Sequence, residues 1–170
     1  MSGGSFFGKY RGTVINNVDP MQMGRIQAMV PDVAGVVPST WAMPCLPMAG
    51  INTGVFTVPM IGSGVWIEFE RGNPDYPIWV GGYWGSAAEV PVMAHTVPPG
   101  VTGITIQTPL KNGIVISDVP GPTGGILIQT TTGAMISVSD VGIVISNGKG
   151  AVINMTGPSV DVNLGALTVI

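Results

Sequence analysis

From residue 103 onward the chain repeats one short phrase: a glycine, two or three residues rich in Ile and Val, then a small polar residue. The glycines at 103, 113, 125, 133, 142 and 150 step by 10, 12, 8, 9 and 8 residues. That spacing is too short for a helical repeat and suits one strand plus one tight corner. Alternation along each strand places Ile104 with Ile106, Ile114 with Ile116, Ile126 with Ile128, Ile136 with Val138, and Ile143 with Ile145 on one face. Thr105, Gln107, Ser117, Gln129, Ser137 and Ser146 fall largely opposite. Glycine fits the corners because it reaches positive φ without a Cβ clash, and Asp118, Asp140 and Asn147 are usual turn companions. Val115, Leu127 and Val144 fall opposite the paired rows although they are apolar: either they form an apolar stripe suited to a lipid bilayer or a neighbouring chain covers them in part, and partial coverage is the expectation.

Short strands with one apolar face and two open edges do not make a stable single-chain β-helix. Several copies wound together cover the edges and bury the Ile/Val rows on a common axis. Oligomerisation is therefore the first functional inference, and composition does not fix its order.

The chain has 170 residues with 26 Gly and 15 Pro, which points to all-β architecture with frequent turns. Disorder is the poorer alternative, because 45% of residues are hydrophobic and only 9% are charged. A net charge of −3 and the lack of a Lys/Arg cluster argue against nucleic-acid binding. No apolar run approaches the roughly 20 residues of a spanning helix. The opening MSGGSFFGKYRG has no hydrophobic signal core, so Sec export is not expected. Cys45 has no partner for an intrachain disulfide and is expected to be a buried free thiol.

Character changes near residue 86. Every Trp and Tyr precedes it, and no aromatic residue follows. The expected division is a barrel domain over 1–85, a Pro-rich linker or collar over 86–100, and a needle domain over 101–170. In the first part, extended segments are predicted at 9–18, 25–30, 40–46, 65–70 and 77–84, with Val65, Ile67 and Phe69 alternating against Trp66, Glu68 and Glu70. Five short strands with one long excursion fit a small closed barrel of the OB type.

The turns bring a family into view. Asp19-Pro20 leads to Gly24-Arg25-Ile26; Trp41-Ala42 precedes Pro44; Pro59 and Gly62 precede Val65; Gly72, Pro77 and Gly81 follow. In this order the segment over 8–85 resembles the OB-fold domain of baseplate assembly protein V of contractile-tailed phages, of VgrG spikes and of extracellular injection systems. The resemblance implies an all-β protein: a five-stranded OB barrel followed by an intertwined trimeric β-helix. It also implies a homotrimer whose axis is lined by Ile104, Ile106, Ile114, Ile116, Ile126, Ile128, Ile136, Val138, Ile143 and Ile145. The barrels would join a separate baseplate hub protein. At the other end Leu167, Val169 and Ile170 would form a blunt platform for a PAAR-like tip protein, and contraction would drive the needle into the host envelope. The implied location is the tail baseplate of a virion or a cytoplasmically assembled injection particle.

A catalytic role finds little support. A glycosidase needs two carboxylates about 5–10 Å apart, and Asp118, Asp140 and Asp161 each sit in a polar or turn setting. Glu68 and Glu70 share one side of a strand but read as a solvated or hub-facing stripe. The single His95 lies in the linker; three copies could meet on a threefold axis and hold a metal, but the favoured reading is an exposed linker histidine with no nucleophile to serve. Trp41, Trp66, Trp79 and Trp84 could stack bases in an OB fold, but Lys9, Arg11, Arg25 and Arg71 are dispersed, which favours core or subunit packing. The expectation is a structural spike with no cofactor, metal or nucleic acid. The alternative is a carbohydrate-binding or depolymerising tail fibre domain, which would call for aromatics or clustered carboxylates on the shaft.

Overall fold

The computed structural model describes residues 5–169. The chain forms two compact units that divide between Glu89 and Val90.

The first unit is a small barrel. Its strands are β1 (Tyr10–Asn16), β2 (Gln27–Met29), β3 (Met43–Pro44), β6 (Gly64–Phe69) and β7 (Pro77–Tyr83), with a minor hairpin of β4 (Ala49–Gly50) and β5 (Thr53–Gly54) in the excursion between β3 and β6. They form a five-stranded sheet in the order β2-β1-β6-β7-β3, antiparallel except where β3 runs parallel to β7. The sheet curls until its edges meet: Ile26 and Ala42 exchange backbone hydrogen bonds of 3.2 and 2.7 Å. Closure removes both open edges. A single helical turn, α1 (Pro31–Ala34), follows β2 with proline at its first position, where no N–H is needed.

The period-two pattern sets the barrel interior. Val65, Ile67 and Phe69 are buried, and Trp66 and Glu68 between them are not. Val14, Ile26, Ala28, Val30, Ala42 and Trp79 complete the core. The Trp79 indole N–H donates to the Gly24 carbonyl at 3.0 Å, so its one polar atom is satisfied inside. Phe6, Tyr10 and Phe69 cluster at one end, with ring centroids 5.6–6.1 Å apart.

The second unit is an eight-stranded meander of β8 (Gly103–Gln107), β9 (Gly113–Ser117), β10 (Gly125–Gln129), β11 (Met135–Val138), β12 (Ile143–Ser146), β13 (Val152–Thr156), β14 (Ser159–Val162) and β15 (Leu167–Val169). Each strand pairs antiparallel with the strand before and after it in the same chain. Only β8 and β15 therefore present a free edge among the described residues. Residues 86–100 carry two short 3₁₀ turns, Ala87–Glu89 and Val92–Thr96. The second turn packs on β8 and β9, buries Met93, and is fixed by the Met93 N–H donating to Gln107 Oε1 at 2.9 Å.

The repeated glycines serve two different ends. Gly133, at φ +85, makes the turn between β10 and β11. Gly142 is required for space, since a Cβ there would overlap the carbonyl oxygen of Met155 on the neighbouring strand. Gly142→Val is expected to separate β12 from β13, at the cost of at least the ~1–3 kcal/mol typical of overpacking. All Trp residues lie in the barrel, so the Trp fluorescence melt should stay in place while the far-UV circular dichroism loses β signal at lower temperature. An unchanged circular dichroism melt would contradict this role.

Candidate functional site

Residues directly opposed in an antiparallel register share a face, so the pairings of the meander show how its apolar side chains line up. One row runs Ile106, Ile114, Ile128, Ile136, Ile145, Ile153, Val162 and Leu167. A second runs Ile104, Ile116, Ile126, Val138, Ile143, Met155, Val160 and Val169. Each strand contributes one residue to each row. The ten residues singled out from the repeat all fall in these rows. Ile153, Met155, Val160 and Val162 extend them, and the alternation of VINMT and SVDV was the available signal.

This face is uncovered in one chain. Twelve of its side chains, from Val138 to Ile106, are 38–66% exposed. The opposite face is better covered: Val115 is buried beside the turn carrying Met93, and Leu127 and Val144 are half-buried. None of those three is fully exposed, and Val115 is covered by its own chain. Leu167 and Val169 form the last rung of the two rows, with side chains exposed. Ile170 lies outside the described residues.

On the barrel, the turn between β1 and β2 is organised by one carboxylate. Asp19 accepts from the backbone N–H groups of Met21, Met23 and Arg25 at 3.0, 2.8 and 3.2 Å. Arg25 adds a fork, Nε at 3.1 Å and Nη2 at 2.6 Å. The Arg25 side chain, followed by these backbone donors, holds the Asp19 carboxyl well below the usual carboxylate range against the opposing effect of burial. The Arg25 guanidinium also lies 5.4 Å from the centre of the Trp41 ring. Arg11 sits 5.6 and 5.3 Å from the rings of Trp66 and Tyr83. These two cations therefore cover Trp41 and Trp66 on the barrel exterior. Only Trp79 belongs to the core, and Trp84 is exposed.

The excursion between β3 and β6 carries a large share of the barrel's exposed apolar side chains. Residues 33–67 contain no charged side chain, yet Met48, Ile51, Val55, Phe56, Met60 and Ile61 are exposed, with Ile51 at the hairpin tip 95% so. Its return limb is fastened to the β1–β2 turn: Asn17 Nδ2 donates to the Pro59 carbonyl at 3.0 Å, and Phe56 approaches Gly24. That turn adds the exposed Met21 and Met23. Thioethers adapt to irregular partners.

The remaining candidates do not converge. Glu68 pairs with Lys9 on the barrel exterior and Glu70 is exposed. His95 is exposed on its 3₁₀ turn. Among the described residues no group of three His, Cys, Asp or Glu side chains could hold a metal ion, and no helix is long and apolar enough to cross a membrane. Cys45 corrects the sequence expectation: it is exposed, not buried. Its N–H is held by the Trp79 carbonyl at 2.9 Å where β3 leaves the barrel, three residues past the buried Ala42, so the side chain falls on the outside.

An OB barrel followed by a β meander with one bare apolar face defines a self-associating structural protein of the spike type. Two family models match the chain: the Type VI secretion system/phage-baseplate injector OB domain over residues 10–84, and the phage baseplate V C-terminal trimerisation domain over residues 103–168. The chain belongs to this baseplate V family, in the arrangement of a baseplate V or VgrG-like spike. A comparison with curated proteins gives no match.

The Asp19 cluster gives a pH prediction. A carboxylate whose folded pKa is depressed stabilises the fold above its unfolded value, near 3.9, and loses that contribution as pH falls toward the folded value. The barrel's melting temperature, followed by Trp fluorescence, should fall between about pH 5 and pH 2. Asp19→Asn should lower it by several degrees at neutral pH and flatten the acid slope. A variant with the wild-type slope would contradict the assignment.

Proposed function

We propose that this chain is the central spike of a contractile tail or related injection machine, a homotrimer with no enzymatic activity of its own. The observation that carries the reading is the pair of apolar rows running uninterrupted across every strand of the meander, which one chain leaves in water. The trimerisation match supplies the number of chains. Three sheets closed around an axis bury the rows, and with about half of each side chain already covered, each contributes on the order of 1 kcal/mol. Sixteen strand positions per chain then favour assembly strongly enough to order a thin, stiff shaft. The needle domain in this reading spans 101–170, the barrel 1–85, with 86–100 as collar.

At the barrel, the uncharged excursion with Met21, Met23, Ile51, Phe56 and Met60 is the surface proposed to meet a baseplate hub protein. Exposed apolar area of this kind is costly without a partner. At the far end, the free edge of β15 with Leu167 and Val169 is proposed to seat a PAAR-like tip protein, which would pair open backbone groups and cover the last rung. Force from contraction passes through the shaft into the target envelope. A needle of cross-strand hydrogen bonds shares axial load over many bonds.

The test is Ile116→Asp combined with Ile128→Asp, examined by native mass spectrometry. The wild-type chain should be a trimer and the variant should lose it, while Ile116→Val with Ile128→Val keeps it. The barrel's Trp fluorescence melt serves as the folding control. A stable trimer of the Asp variant would overturn the axis assignment.

A further inference from the structure

The charges of the needle are few, and those at its turns are sorted by side. Beyond His95, residues 90–170 carry only Lys111, Asp118, Asp140, Lys149 and Asp161. In a meander, successive turns alternate between the two margins of the sheet. Lys111 lies in the turn between β8 and β9, and Lys149 in the turn between β12 and β13; both turns are on one margin. Asp118 follows β9 directly, and Asp140 lies in the turn between β11 and β12; both are on the opposite margin. All four side chains are on exposed residues. Among the described residues none of the four makes an ion pair within the chain. They cannot do so across the sheet, since strands of five residues separate the margins by about 17 Å at roughly 3.4 Å per residue.

We propose that Lys111 and Lys149 of one chain pair with Asp118 and Asp140 of the next, so that each edge of the trimer is marked by two interchain ion pairs. This rests on the threefold reading above. Rotation about a threefold axis places the lysine margin of each chain against the aspartate margin of its neighbour, whatever the hand of closure. Rotation alone also leaves heights unchanged. The Asp118 turn lies one strand beyond the Lys111 turn and the Asp140 turn one strand before the Lys149 turn, so the centres of the paired turns are offset by no more than about 4.8 Å along the shaft. The two offsets have opposite senses, so an axial slip that shortens one lengthens the other.

That geometry assigns the pairs a task. The apolar rows repeat from strand to strand and would tolerate a slip by one hairpin. Such a slip leaves only one of the two lysines opposite an aspartate. Exposed ion pairs add little affinity, but complementary charges fix register and suppress wrong arrangements. Asp140 is oriented for this role, because its Oδ2 accepts from the Gly121 N–H at 2.9 Å, and among the described residues no hydrogen bond engages its other oxygen.

The native full chain can be tested with a water-soluble carbodiimide, which joins an amine to a carboxylate only at contact. The expected result is a covalent trimer on a denaturing gel, with peptides linked Lys111 to Asp118 and Lys149 to Asp140. Lys111→Gln with Lys149→Gln should keep the trimer by native mass and lose the covalent product. A wild-type trimer without these links, or a covalent trimer that persists in the Gln variant, would overturn the pairing while leaving the threefold reading intact. A monomer by native mass would overturn both.

Discussion

The C-terminal sheet makes every strand place two apolar side chains on one face, and among the described residues of this unit no second layer covers them. A half-covered sheet of β-branched residues is a poor end state in water. The proposed assembly would complete the fold by covering this face. The in-chain pairing sharpens this point: backbone hydrogen bonding is satisfied strand by strand within the meander, so what remains to be gained between chains is mostly apolar contact. Strand pairing sets the shape of each chain, and in the proposed assembly burial of the rows drives association.

The barrel solves the same problem alone. Its edges meet at Ile26 and Ala42, its interior is filled by Val14, Ile67, Val65 and Trp79, and its first turn is tied by the Asp19 carboxylate. What it leaves exposed is an uncharged excursion together with scattered apolar side chains such as Val18, Val36 and Trp84, rather than a continuous face. The two units thus differ in kind: one closes its own core, the other leaves an apolar face that the proposed trimer would cover.

The alternation in VWIEFE, the Ile pairs of the repeat and the five barrel strands were legible in the sequence because burial on one side imposes a period of two. Other features were not. Cys45 looked like a core residue by composition, but its place outside the barrel depends on where β3 leaves the sheet. Gly142 looked like a corner glycine, whereas it is needed because a neighbouring carbonyl lies against it. The rows continue through Ile153, Met155, Val160 and Val162, where Asn154 and Asp161 hide the pattern from a search for Ile/Val runs. The sorting of lysines and aspartates emerges only once the turns are assigned to margins, which requires the order of strands rather than their presence.

The central claim is that the two apolar rows form the core of a threefold shaft. An experimental structure of the full-length assembly, at a resolution that shows side chains, tests it most directly. The account predicts that Ile116 and Ile128 of three chains meet in van der Waals contact around the axis, with Val115, Leu127 and Val144 turned away from it. Rows facing solvent, or an axis lined by the Val115 side of the sheet, would contradict it.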